Sequence, residues 1–322
     1  MMPKTKMVLS LLTLGFMTLS AGCGNTPTIP MAQQPKSISI AYVKAPLNVP
    51  SIVEKKLESF EKEFGKDKIA VQFAEITVGS RQTEAIAAGS LDFAHCLGGT
   101  SAILAAANGV DLKIIAIYSR APKAFVVMIK DPAIKSITDL KGKRVAGPKG
   151  TILHQLILAA LAKGGMKPED IDFVSMDLPG SAAALQNGSV SAALLAGPDA
   201  IRAEKAGARI LTNGEGLIEA TIVTAVSGEF LQKYPELVKR FLAIHNASLT
   251  FIKTNTSEAL SMTAAETGLG LDAVRLMYPW YNFDATIKPS DILELKRTQE
   301  FLIQNGMLTK SVEIEKIIAT VK

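Results

Sequence analysis

One phrase in this chain occurs twice. Residues 85–94, AIAAGSLDFA, resemble residues 184–193, ALQNGSVSAA, and at the same 99-residue spacing Gly98 matches Gly197. Upstream, Ala41-Tyr42-Val43-Lys44 resembles Ala146-Gly147-Pro148-Lys149, a strand end leading to a lysine. Internal similarity of this kind means that the body is built from two copies of one array. With 322 residues there is room for about two domains, which the duplication fills.

Each half reads strand, helix, strand, helix, strand, helix, strand. In the first, residues 38–43 alternate and are β-branched, as a strand should be. Val49-Pro50-Ser51 opens a helix that runs to about Phe64, with proline in its first turn and Gly65 as its stop. Strands at 71–76, 91–96 and 112–118 follow, with helices near 80–88 and 100–107 between them. The second half repeats the order, with strands at 144–146, 171–175, 190–195 and 209–211 and helices at 151–163, 181–186 and 199–205. Alternation of this kind argues for an α/β fold with two open, mostly parallel sheets, one per lobe. Two apolar, β-prone segments, 125–129 and 220–226, break the repeat and read as strands connecting the lobes. From Leu231 onward the chain is helical, punctuated by Pro235, Pro279 and Pro289.

The N-terminus is a different kind of sequence. Lys4 and Lys6 precede an uncharged apolar run over residues 7–21, the length of a secretory h-region rather than a spanning helix. The run ends in Leu19-Ser20-Ala21-Gly22-Cys23, which resembles the lipobox of bacterial lipoproteins. That resemblance implies a signal peptide over residues 1–22, cleavage before Cys23 and lipidation of its sulfur. Residues 24–36 carry three prolines and no apolar period, so they read as a tether of at most about 45 Å. Loss of Lys4 and Lys6 leaves 33 basic against 30 acidic residues, a charge of +3, with no basic patch to suggest nucleic-acid binding. With Cys23 lipidated, Cys96 has no partner in the chain and reads as a small buried hydrophobe. No Cys–His set has zinc spacing, and nothing calls for a cofactor.

An ordered set of motifs now stands out. The strand Ile40-Ala41-Tyr42-Val43-Lys44 is followed by Gly79-Ser80, by Ala88-Gly-Ser-Leu-Asp-Phe-Ala94, by Gly98-Gly99-Thr100, and by ITDLKGKRVA at 137–146. Together these resemble the solute-binding proteins of ABC importers, type II periplasmic-binding-protein fold, in the taurine, aliphatic sulfonate and nitrate branch. The resemblance covers about residues 37–251. It implies a two-lobed receptor, with residues 37–120 plus 220–322 in one lobe and 121–219 in the other. It also implies a monomer on the extracytoplasmic face that delivers a small, anionic solute to a permease and its ATPase subunits. A receptor for a pyrimidine, vitamin-precursor or aromatic nutrient is the alternative, and an enzyme of the thiamin-precursor synthase type a more distant one.

Elementary physics places the site. In open α/β sheets, ligands sit beyond the carboxyl ends of strands, against helix N-termini. The strand-to-helix turns here contain Lys44 and Ala45, Gly79 and Ser80, Gly98, Gly99 and Thr100, Gly150 and Thr151, and Gly197 and Pro198. Their Gly, Ser and Thr let backbone N–H groups approach an anion. Arg120 is the candidate cation, or else the partner of an acid at the lobe junction. His154, in the first turn of its helix, faces either the ligand or solvent. His95 reads as a structural histidine and His245 as a surface one. Leu195-Ala196-Gly197 supplies neither aromatic ring nor carboxylate before Pro198, which leaves that wall small and apolar. The chain lacks G-x-S-x-G, H-E-x-x-H, the Walker lysine and G-x-G-x-x-G after a strand, so the expectation is binding without catalysis.

Overall fold

The computed structural model describes residues 34–44 and 47–321. The signal segment 1–22, the lipidation candidate Cys23, the tether to residue 33 and Ala45 lie outside the described residues. The order begins β1 (Ser37–Ala41), α1 (Val49–Lys56), α2 (Ser59–Phe64), β2 (Ala70–Ala74), α3 (Gly79–Ala87), β3 (Phe93–Gly98), α4 (Gly99–Ala107), β4 (Leu112–Arg120). It continues β5 (Phe125–Ile129), β6 (Arg144–Gly147), α5 (Ile152–Lys163), β7 (Asp172–Ser175), α6 (Leu178–Gln186), β8 (Ala192–Ala196), α7 (Gly197–Lys205), β9 (Arg209–Asn213) and β10 (Thr221–Ser227). Five helices close the chain: α8 (Gly228–Lys233), α9 (Pro235–Thr254), α10 (Thr256–Thr267), α11 (Leu271–Met277) and α12 (Pro289–Gln304).

The duplication survives in three dimensions. One sheet has the order β2-β1-β3-β10-β4 and the other β7-β6-β8-β5-β9, so each is second, first, third, crossover strand, fourth. β1 runs parallel to β2 and β3, and β6 to β7 and β8. The two segments read as connecting strands are not free connectors. β5 lies antiparallel between β8 and β9, and β10 antiparallel between β3 and β4. The reason is burial: all five residues of β5, and all but the last of β10, are buried. An apolar strand satisfies its backbone on both edges inside a sheet, which a bare bridge cannot do. The chain therefore crosses between sheets in residues 121–124 and 214–220. The long helix expected over 49–64 is also broken, at Glu58, whose φ of 53° turns the chain left-handed between α1 and α2.

Behind β3 the core contains a polar knot. Glu54 on α1, His95 on β3 and His245 on α9 are 0%, 1% and 0% exposed. His95 Nε2–H donates to Glu54 Oε2 at 2.9 Å, and His245 Nδ1–H donates to Oε1 at 2.8 Å. Thr224 Oγ1, from β10, closes on the other nitrogen of His95 at 3.1 Å. Burial pushes the Glu54 carboxyl up, but His95 and His245 outweigh it and hold it down to about 2. His245 is thus a core residue, not the surface residue expected; it continues the buried stripe of Phe241 and Leu249. Glu54→Ala strands both imidazoles and is expected to cost about 3–5 kcal/mol in urea denaturation; a loss below ~1 kcal/mol would show that the knot is not structural.

Candidate functional site

The carboxyl ends of the parallel strands in both sheets face one chamber. Val43 and Asn48 reach it from the β1–α1 turn, Thr77 to Gly79 from β2–α3, and Cys96 and Gly98 from the end of β3. The other sheet contributes Pro148 and Thr151 to Leu153 from β6–α5, Leu178 from β7–α6 and Ala196 from β8. Phe125 and Ile222, near the starts of the two inserted strands, complete the wall. The cleft holds about 680 Å³ of empty space, its open mouth included. No charged side chain lines the chamber among the described residues.

Asn48, Thr77, Gln82, Ser101 and Thr151 bring uncharged polar side chains to it, and backbone adds further donors. The first-turn N–H groups of a helix have no partner within the helix and carry the positive end of the dipole. α3, α4 and α5 have neither a side-chain cap nor a proline in the first turn, so these donors stay available. α6 differs: Asp177 Oδ1 already accepts Gly180 N–H at 2.8 Å. Val43, Val78, Phe125, Leu178 and Ile222 supply apolar wall. The arrangement suits a small anionic head with an apolar tail.

The two sheets are clasped beside the chamber. Ser101 Oγ–H donates to the Gly150 carbonyl at 2.9 Å, and Thr100 Oγ1–H to Gln155 Oε1 at 2.6 Å. A Cβ on Gly98 would meet Ile152 of the other lobe at 3.3 Å. Gly79 has less room still, since a Cβ there would stand 2.5 Å from Ser101 Oγ.

Of the residues expected at the site, Gly79, Gly98 and Thr151 line the chamber, and Ser80 and Gly150 line its mouth. Thr100 belongs to the clasp. Gly99 lets α4 pack against the Thr221 carbonyl, 3.1 Å from where a Cβ would be. Gly197, at φ +54°, and Pro198 are buried at the start of α7 behind Ala196. Lys44 pairs with Glu266 at 3.3 Å instead of facing the chamber.

Two expectations are corrected. Arg120 is not a ligand cation: its Nε and Nη2 donate to the Asp291 carboxylate at 2.6 Å each, and Nη1 and Nη2 donate to the Asp284 and Thr286 carbonyls at 3.1 Å. Its fork pins the end of β4 to the segment before α12. His154 turns away from the chamber and stacks on Phe173 at 4.4 Å, while its Nδ1 accepts Gly150 N–H at 3.3 Å. Burial, and then the nearby Lys149 charge, lowers its pKa to about 4.

Thr77, Gln82, Leu153, Leu178 and Cys96 also line the chamber and are not among the residues expected there. Cys96 shows why. Val223 pairs with Leu97 and Thr224 with His95, so Cys96 is the extra residue of a β-bulge, at φ +82°. The bulge brings it to the chamber wall, where its Sγ meets Ser51 Oγ at 3.3 Å. Burial pushes the thiol well up, which disfavours the thiolate that a nucleophile needs. Among the described residues, Glu54, His95 and His245 are the one set close enough to share a metal, with ligand atoms within 4.8 Å. One nitrogen of each histidine is spent on the carboxylate and His95 Nδ1 on Thr224, and none of the three lines the chamber.

Comparison with known proteins places the chain in a family. The model described as NMT1/THI5 like matches residues 61–259, and the chain belongs to that family. It is 27% identical over 314 residues to the "Putative aliphatic sulfonates-binding protein" of Escherichia coli K12, covering 92% of this chain and 94% of that one. A Bacillus subtilis protein of the same name is 27% identical over 304 residues, covering 93% and 91%. The alkanesulfonate-binding protein SsuA from Xanthomonas axonopodis pv. citri, bound to MOPS, superimposes with a TM-score of 0.81 at 23% identity, covering 90% and 100%. The desulfurization enzyme DSZB shares the fold at a TM-score of 0.63 and 18% identity, covering 89% and 97%.

Two outcomes follow from the corrected residues. Arg120→Ala leaves the buried Asp291 carboxylate without its cation, so stability should fall by about 3–5 kcal/mol in denaturant titrations while ligand affinity is kept; loss of affinity at unchanged stability would return Arg120 to the site. His154 has a folded pKa of about 4 against 6.5 unfolded, so the unfolded chain binds more protons between these values and stability falls as pH drops through that window. From pH 7 to pH 5 the loss is about 2 kcal/mol, and His154→Gln should remove it. Equal slopes in the two proteins would contradict that assignment.

Proposed function

We propose that this chain is the receptor of an ABC importer for small organic sulfonates, tethered by a lipid on Cys23 at the extracytoplasmic face of a membrane. One observation carries the reading: three uncapped helix N-termini, drawn from both lobes, meet at a chamber with apolar walls and no charged side chain. A sulfonate is a strong-acid anion that accepts several hydrogen bonds and needs no proton from the protein. The apolar walls take its alkyl part. The names of the Escherichia coli and Bacillus subtilis relatives support the same ligand class.

The mechanism is capture by closure. Residues 37–120 plus 220–322 form one lobe and 121–219 the other, hinged at the two crossings. α3 and α4 bring donors from the first lobe and α5 from the second, so a bound anion gains its full set only when the lobes are together. That differential affinity is what shifts the population to the closed form. The Ser101–Gly150 and Thr100–Gln155 bonds then hold it closed. The closed monomer presents both lobes to the permease, whose ATPase subunits drive release. The neutral thiol of Cys96 favours binding over chemistry on this fold.

Calorimetry and thermal melts of the full chain with propanesulfonate, taurine, nitrate and a pyrimidine test this. A true ligand at a hundredfold over its Kd adds about 2.7 kcal/mol of stability. The expected result is stabilisation by propanesulfonate; stabilisation by the uncharged pyrimidine alone would overturn the reading, and product formation would overturn the absence of catalysis.

A further inference from the structure

The chamber opens through Thr77, Val78 and Pro148 into a wider mouth shared by both lobes. Arg81 from α3 and Lys149 from the β6–α5 turn line that mouth from opposite lobes, beside Ser80, Gly150 and Ser175. Among the described residues, neither cationic side chain has an ion pair or hydrogen bond. The acids of the mouth do have partners: Glu75 Oε1 lies 3.9 Å from Lys55, and Asp177 caps α6.

The placement of both cations runs against local rules. Arg81 sits in the first turn of α3, and Lys149 stands just before α5. A helix N-terminus favours an anion and disfavours a cation. Closure also brings two like charges to one opening, which repel across it. Departures from local consistency concentrate at functional sites. An anionic group lodged between the two lobes would turn this repulsion into attraction on both sides.

Resting on the sulfonate reading, we propose that the mouth is a second anion subsite and that the preferred ligands are short sulfonates with a second anionic group, the sulfonate in the chamber and a distal carboxylate between Arg81 and Lys149. The chamber's N–H donors hold the first charge. A short alkyl link would run past Thr77, Val78 and Pro148, the residues that the chamber and the mouth share. Ser80 and Ser175 stand beside it as neutral donors.

The test is calorimetric titration of the full chain with 3-sulfopropanoate and with propanesulfonate, which differ only in the terminal carboxylate, at fixed low ionic strength. 3-Sulfopropanoate is expected to bind about tenfold tighter, the factor that about 1.4 kcal/mol of added interaction gives. In the doubly substituted Arg81→Gln, Lys149→Gln protein the ratio should fall to near one, and in the unsubstituted protein it should shrink as salt is raised. Both positions are exposed, so the double variant keeps its core. Equal affinities in the unsubstituted chain, or a preference that survives the double substitution, overturns the subsite while leaving the sulfonate reading intact. Failure of both sulfonates to bind overturns that reading and the subsite with it.

Discussion

The molecule depends on one geometric constraint: two sheets of the same topology set the carboxyl ends of their parallel strands toward each other. The turns that follow those parallel strands then open on the space between them, and α3, α4 and α5 point their N-termini there. On the proposed reading, the ligand's charged head is held by backbone rather than by side chains. Arg120 and Lys44 serve the scaffold instead, each through an acid, Asp291 and Glu266. A dipole-lined site has a practical merit for a receptor that must release its cargo. It holds an anion without a buried counter-charge that would need desolvation each time the cleft empties.

The same constraint explains the two inserted strands. β5 and β10 each enter a sheet antiparallel, between the third and fourth strands of its array, and each has a chamber residue at or next to its start, Phe125 or Ile222. The elements that carry the chain across are therefore also part of the wall. A relative rotation of the lobes about residues 121–124 and 214–220 changes the chamber directly. The Glu54–His95–His245 knot lies immediately behind β3 and ties α1, β3 and α9 together.

Much of this was legible in the sequence, for identifiable reasons. The repeat of AGSLDFA in NGSVSAA marks equivalent helix–strand turns, and the Gly-rich turns at 79, 98 and 150 needed close approach of backbone, which glycine alone permits. What was not legible depends on contacts remote in sequence. No local pattern tells a connecting strand from an inserted one. The Cys96 bulge exists only in register with β10. Arg120 is occupied by an acid 171 residues away. His154 follows a turn that bears on the cleft, but its ring has Phe173 to stack on, which lies on a different strand. His245 was different, since its i, i+4 relation to Phe241 and Leu249 placed it on the buried stripe of α9 and a stricter reading of period would have found it.

The central claim is that backbone N–H groups of α3, α4 and α5, and not a side-chain cation, hold the ligand's charged head. Amide ¹H–¹⁵N spectra recorded through a titration with propanesulfonate test it residue by residue. The account predicts that the amides of Ser80, Thr100, Ile152 and Leu153 shift together and saturate with one Kd. Shifts that leave these amides unmoved, and concentrate instead around Lys44 or Arg120, would contradict it.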